Sequence, residues 1–178
     1  MTAWLAGRGA CVLPGQVRVD TPWLAGRRVP HLECRVVASA QERAAHLAIR
    51  RAVFVAEQHV FEPSDHDAHD DDPATLHVLG LVDGMPAGTV RLFPLDAPRD
   101  EPDWQGDRLA VLPPFRRCGL GAPLVRFAVA AAGGRGGRRM LAHVQPPNRT
   151  FFRRLGWTQR GGPELYAGLP HLRMEIDL

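Results

Sequence analysis

The stretch FRRCGLGAPLVRFAVAAAGG, residues 115–134, opens with two arginines and two closely spaced glycines, then runs into an almost wholly apolar segment. Before it lies DRLAVL (107–112), a strand pattern stopped by Pro113-Pro114; after it the break GGRGG leads into RMLAHVQ (139–145), a second strand pattern. Strand, turn, helix and strand in this order make one β-α-β unit, with parallel strands joined by a right-handed crossover. The glycines let backbone N–H groups approach an anion closely, and the positive end of the following helix attracts negative charge. The junction therefore predicts a phosphate site. It lacks the Lys-Ser/Thr ending of a nucleotide P-loop and the six-position glycine pattern of a dinucleotide fold.

Working outward, HLECRVV (31–37) reads as a first strand, and Ser39 as the N-cap of a helix over AQERAAHLAIRRAVFVAEQ (40–58). A polar loop, HVFEPSDHDAHDDDP (59–73), precedes two strands, TLHVLGLVD (75–83) and AGTVRLFPL (87–95), joined by an Asp83-Gly84 hairpin turn. DAPRDEPDWQ (96–105) reads as a loop. Beyond the central unit, NRTFFRRLG (148–156) is a short helix, WTQR (157–160) and HLRMEIDL (171–178) are closing strands, and Tyr166 falls in a loop, GGPELYAGLP. The order β-α-β-β-β-α-β-α-β-β implies a mixed sheet covered by helices, an α/β domain over residues 31–178. Residues 1–30, rich in Gly, Pro and Arg, read as an N-terminal extension. Ligands of such sheets sit beyond the carboxyl ends of their parallel strands.

With 178 residues, 45% of them hydrophobic and 23% charged, the chain has the composition of a globular protein rather than a disordered or fibrous one. No run approaches the roughly 20 apolar residues that cross a bilayer, and the N-terminus lacks a basic secretory n-region, so a cytoplasmic location is the expectation. Cys11, Cys34 and Cys118 are odd in number and widely spaced, which suggests plain thiols. Charge is unevenly distributed. Residues 57–107 hold 13 acids against two arginines, whereas residues 116–160 hold ten arginines and no acid. The two halves either attract partners of opposite sign or neutralise each other across the fold. The basic half has few aromatics and its arginines surround an apolar helix, so nucleic acid is not the expected partner.

The residues also carry a resemblance. LAVLPPFRRCGLGAPLV resembles the acyl-CoA signature of the GNAT N-acetyltransferase superfamily, Arg/Gln-x-x-Gly-x-Gly/Ala, with Arg116, Gly119 and Gly121 in the matching places. AHVQ (142–145) and FFRRLGW (151–157) are similar to the strand and helix that follow it. VFVAEQ, the acidic loop and GLPHLRM resemble a bacterial group known as nitrogen-starvation N-acetyltransferases. The resemblance implies an about seven-stranded mixed sheet with splayed parallel strands 4 and 5, and acetyl-CoA as co-substrate. It puts the pyrophosphate on the backbone of Arg117, Cys118, Gly119, Leu120, Gly121 and Ala122, and the pantetheine arm along Leu109, Ala110 and Val111. Arg116, Arg117, Arg149 and Arg153 are phosphate candidates; Asn148 either caps the short helix or bonds the CoA arm. A homodimer is a further implication.

An amine attacks a thioester only when neutral, so a base must take its proton. His143 and Glu57 are the first choices; Gln145, Asp107 and His171 are further candidates. The superfamily's usual proton-donating tyrosine is replaced here by Phe152, which lines the CoA site but donates nothing, and Tyr166 is the candidate substitute. Cys118, beside arginines at a helix start, is a lesser nucleophile candidate. DHDAHDDDP fits neither a calcium loop nor a zinc pattern, so no metal is expected; it reads as a solvated loop or as a lure for a cationic amine. The expected activity is transfer of acetyl from acetyl-CoA to a primary amine of a small, cationic acceptor in a ternary complex. An acyl-homoserine-lactone synthase, which RRAVFVAEQ resembles, and a non-catalytic acyl-CoA-binding protein are the alternatives.

Overall fold

A computed structural model of the chain describes residues 29–95 and 103–178. The expected N-terminal extension falls almost wholly outside the described residues, as does most of the loop expected over 96–105. Seven strands form one sheet: β1 (Leu32–Val36), β2 (Leu76–Val82), β3 (Met85–Pro94), β4 (Asp103–Val111), β5 (Arg139–Val144), β6 (Thr158–Tyr166) and β7 (Leu169–Asp177), in spatial order β1-β2-β3-β4-β5-β7-β6. Every neighbouring pair is antiparallel except β4 and β5, which are parallel. This is the mixed sheet expected from the sequence.

Two strands run longer than expected. β4 begins at Asp103, because Trp104 and Gln105 pair with Pro94 and Phe93 on one side and with Met140 and Leu141 on the other. β6 continues to Tyr166 through a segment read as loop; a register shift between Arg160 and Pro163 absorbs its glycines and proline. The hairpin then closes on Ala167 and Gly168, at φ 49° and 75°, the same backbone shape that Asp83 and Gly84 adopt between β2 and β3.

The first helix, α1 (Ala40–Arg50), starts where Ser39 Oγ accepts the Glu42 N–H. It does not continue as an α-helix to Gln58: Arg51–Glu57 is π-helical, with the Gln58 N–H bonded to the Val53 carbonyl at 2.9 Å. Residues Ile49 and Val53 pack on Leu79, Leu81 and Ala110 on one face of the sheet. On the other face, α2 (Gly121–Gly133) buries Leu124, Val125 and Ala128 against Val78, Val90 and Val111. A Cβ on Gly88 would stand 2.9 Å from Leu124 Cδ1 and 2.8 Å from the Ala110 carbonyl oxygen, so this seat requires glycine. A short helix, α3 (Arg149–Arg154), lies between β5 and β6.

The acidic loop is solvated only in part: Glu62, Asp71 and Asp72 are exposed, whereas Asp65 and Asp70 are buried. Arg50, fully buried, donates to Asp65 at 2.7 Å and binds both carboxylate oxygens of Asp70. Arg91, also fully buried, holds Asp67 at 2.6 and 2.8 Å and Asp107 at 2.8 and 2.6 Å. Arg108 adds bonds to Asp67 and Asp107. Asp65, Asp67 and Asp70 of the loop are thus matched by arginines from α1, β3 and β4. Among the described residues, the anionic and cationic halves meet in pairs such as Glu57 with Arg116 and Asp103 with Arg138 and Arg139.

Acid sensitivity follows from this buried cluster. His46 is fully buried with its ring 5.0 Å from that of His77; burial, then the positive neighbours, push its pKa down to about 3 from 6.5. Between these values the unfolded chain binds a proton that the folded chain refuses, so stability is complete above pH 6.5 and declines by about 1.4 kcal/mol per pH unit below it. Burial raises the Asp70 carboxyl, but bonds and charge from Arg50 outweigh it and hold it well below 3.8; its contribution, present above 3.8, is lost below. Urea midpoints should fall steadily from pH 6.5 to pH 4.5, and the slope should flatten in His46→Leu. Midpoints independent of pH would contradict the assignment.

Candidate active site

The ladder between β4 and β5 covers only Asp103–Gln105 against Arg139–Leu141. Beyond it, β4 stays bonded to β3 as far as Val111, and β5 stays bonded to β7 as far as Val144. The two parallel strands therefore part after Gln105, leaving facing main-chain edges with no ladder partner. A cleft opens between them, walled by Asp107, Arg108 and Leu109 on one side and Ala142, His143 and Val144 on the other. The π-helical segment contributes Phe54 and its C-cap, Gln58, the β6-β7 hairpin contributes Tyr166 and His171, and Asn148, Phe151 and Phe152 close it beyond β5.

At the cleft edge, β4 carries a bulge, marked by a register shift between Thr89 and Arg91. Arg108 sits there at φ 50°, a conformation that disfavours any residue with a Cβ by about 1–2 kcal/mol. Its guanidinium lies 4.5 Å over the Phe61 ring and bonds the Asp65 carbonyl, while the Thr89 hydroxyl donates to its own carbonyl at 3.0 Å. The bulge is fixed by these contacts.

β4 leads directly into the glycine-rich junction: a 3-10 turn (Pro113–Cys118), Gly119 at φ 81°, Leu120, then α2. No side chain caps α2, so the N–H groups of Gly121 and Ala122 are unclaimed by a side-chain cap, and Pro123 has none. Leu120 and Gly121 are buried, whereas Arg117 and Gly119 are exposed. Ala110 and Val111 are buried and offer main chain only. Arg116 is committed internally: Nε donates to the Val111 carbonyl at 3.0 Å, and both terminal nitrogens bind Glu57. Arg149 and Arg153 line a separate depression with Thr158 and Gln159. Cys34 is free, its thiol pushed up to about 11 by burial and then by Glu33. Cys118 is disulfide-bonded, which corrects the expectation of a plain thiol and removes it as a nucleophile.

The structure brings His143 and Tyr166 together, with rings stacked 4.3 Å apart and 4° from parallel. His171 meets Tyr166 edge-on at 5.4 Å, its Nδ1 against the Leu169 carbonyl. His143 Nε2 lies 2.9 Å from Glu164 Oε1. That bond places the proton on Nε2, so the lone pair is on Nδ1, which is buried without a partner. Burial lowers the His143 pKa more than Glu164 raises it. Glu57 is not brought to this group; it faces Arg116 outside the cleft wall. Asp107 is bonded to Arg91, and Gln145 Nε2 reaches Gln58 at 3.4 Å. Asn148 does not cap α3, and its Oδ1 is buried and unpartnered. Phe152 is buried edge-on against Trp157. Glu164, Gln58, Phe54 and Phe61 were not among the expected site residues; Glu164 lay in a stretch read as loop. Among the described residues, no group of three or more His, Cys, Asp or Glu is placed to hold a metal.

Residues 34–157 match the model of the acetyltransferase (GNAT) family. The chain is similar to YyaT of Bacillus subtilis (strain 168), an uncharacterized protein, with 29% identity over 133 residues, 74% of this chain and 86% of that one. Its fold is similar to an acyl-CoA N-acyltransferase from Pseudomonas aeruginosa, with a TM-score of 0.67 and 25% identity over 82% of this chain and 98% of the other. The fold also matches BjaI, a CoA-dependent acyl-homoserine lactone synthase, at a TM-score of 0.64 and 21% identity, covering 78% and 76% of the two chains.

Proposed function

The chain belongs to the acetyltransferase (GNAT) family, and on that premise we propose that it transfers the acyl group of acyl-CoA to a primary amine of a small acceptor by direct attack in a ternary complex. The observation that carries this reading is the parting of β4 and β5 after Gln105 directly before an uncapped helix start. The backbone of Arg117–Ala122 holds the pyrophosphate, and the pantetheine amides pair with the open edge of β4 at Leu109–Val111, a main-chain N–H there polarising the thioester carbonyl. Asn148 Oδ1 accepts from the arm. Acetyl-CoA, the donor that the sequence resemblance implies, is the smallest such substrate. The finer likeness to nitrogen-starvation N-acetyltransferases belongs to this reading as well.

His143 Nδ1 is the base that takes the ammonium proton, held in the right tautomer by Glu164. Tyr166, stacked on it, reprotonates the departing thiolate in place of the tyrosine absent at Phe152. Glu57 serves by fixing Arg116 and, through its bond to Val111, the end of β4. Asp65, Asp67 and Asp70 are matched by arginines, so any attraction of the acidic loop for a cationic acceptor rests on the exposed Asp71 and Asp72. The acceptor amine enters from the Phe54, Gln58 and Tyr166 side.

Thiol release from acyl-CoA should appear with at least one member of a panel of amino acids, polyamines, aminoglycosides and aryl amines. His143→Gln should lower kcat about 100-fold or more while leaving acyl-CoA KM nearly unchanged, and should remove the acid limb of the pH profile, which in the native enzyme lies below 6.5. CoA binding without turnover across the panel would instead favour a binding protein, a reading that Phe152 supports. Turnover only with S-adenosylmethionine would favour a lactone synthase.

A further inference from the structure

The cleft does not end where an acetyl group would. From Leu109 it continues towards the point where β4 and β5 rejoin, with Gly106 and Met140 at its floor, one residue on either side of the last paired residues. There its walls are Val90, Val125, Ala128 and Trp157, all less than 5% exposed, as is Met140. These are core side chains from β3, β5, α2 and the start of β6, and the space among them is open to the same cleft that presents His143 and Asn148. Met140 packs across the floor at Gly106, where a Cβ would stand 3.3 Å from its Sδ, so glycine is what lets the thioether lie there.

The three steps from Leu109 back to Gly106 span at most about 10 Å, shortened by the bulge at Arg108. This inner portion is lined by aliphatic, aromatic and thioether side chains, with the unpartnered Trp157 Nε1 as the polar side-chain atom among its walls, so a charged acceptor entering it would be desolvated with little compensation. The part of the substrate that is apolar, and attached to the carbonyl held at Leu109, is the acyl chain. Resting on the acyltransferase reading above, we propose that the preferred donor carries an unbranched acyl chain of medium length, lodged among Val90, Val125, Ala128, Met140 and Trp157.

The test is a donor series of acetyl-, butyryl-, hexanoyl-, octanoyl- and decanoyl-CoA, measured both as kcat/KM and as calorimetric Kd. Each methylene that enters the chamber should tighten binding roughly fourfold until it is full, so hexanoyl-CoA should exceed acetyl-CoA by about tenfold or more. Ala128→Leu and Ala142→Leu should lower the hexanoyl-to-acetyl ratio by about tenfold. If either variant fails to fold, the native series decides alone. Equal or better use of acetyl-CoA overturns the inference while leaving the acyltransferase reading intact. Absence of thiol release with every donor, with no binding heat, removes both.

Discussion

Gly119→Glu is expected to raise the Kd for coenzyme A by about 100-fold or more while leaving the protein folded, because it acts on backbone shape and charge at the helix start together. Gly119 adopts φ 81°, where a residue bearing a Cβ is disfavoured by about 1–2 kcal/mol. No heavy atom lies within 4 Å of that Cβ, so the substitution meets no steric clash and the core beneath it is untouched. Gly119→Ala therefore isolates the strain and should cost about tenfold, and Gly119→Asn, better suited to the left-handed region, less still. Glutamate adds a carboxylate where two phosphates must sit. Calorimetric titration of the three variants, with thermal melts as the folding control, separates these contributions. Native-like affinity in Gly119→Glu would place the phosphates elsewhere.

The second large effect concerns stability. Arg91→Leu should destabilise the fold by about 3–5 kcal/mol, because it removes a fully buried cation shared by Asp67, Asp70 and Asp107, leaving three carboxylates, two of them buried, to Arg50 and Arg108 alone. For a chain of this size that corresponds to a fall in Tm of about 10 °C. Replacing the carboxylates as well, as in Arg91→Leu with Asp67→Asn and Asp107→Asn, should recover part of the loss, since the penalty lies in the unpaired charges. Arg35→Leu, which removes surface bridges to Glu33 and Glu42, should shift Tm by only a few degrees at most. A Tm shift in Arg91→Leu no larger than in Arg35→Leu would mean that the acidic loop is anchored by something else.

Much of this architecture is legible in the amino-acid sequence. Local signals marked it well: Asp83-Gly84 for a hairpin, Ser39 for a helix start, and the order of strand, Gly119, Gly121 and apolar helix for the parallel unit. What escaped notice depends on contacts between distant segments. Nothing around Arg51–Glu57 signals π winding, and GGPELY has the composition of a loop, yet pairing with β7 makes it a strand and sets Glu164 beside His143. The pairing of Asp65, Asp67 and Asp70 is not legible locally because their partners, Arg50, Arg91 and Arg108, come from three separate elements. The parting of β4 from β5 was expected from the resemblance; its depth, down to Gly106 and Met140, depends on which core side chains are small.

Amide hydrogen exchange, measured with and without coenzyme A, tests the central claim most directly. Binding should slow exchange at Leu109–Val111 and at Gly119–Ala122 together, leaving the β6-β7 hairpin nearly unchanged. Protection confined to other segments, or none at saturating coenzyme A, would contradict a carrier held between the parted strands.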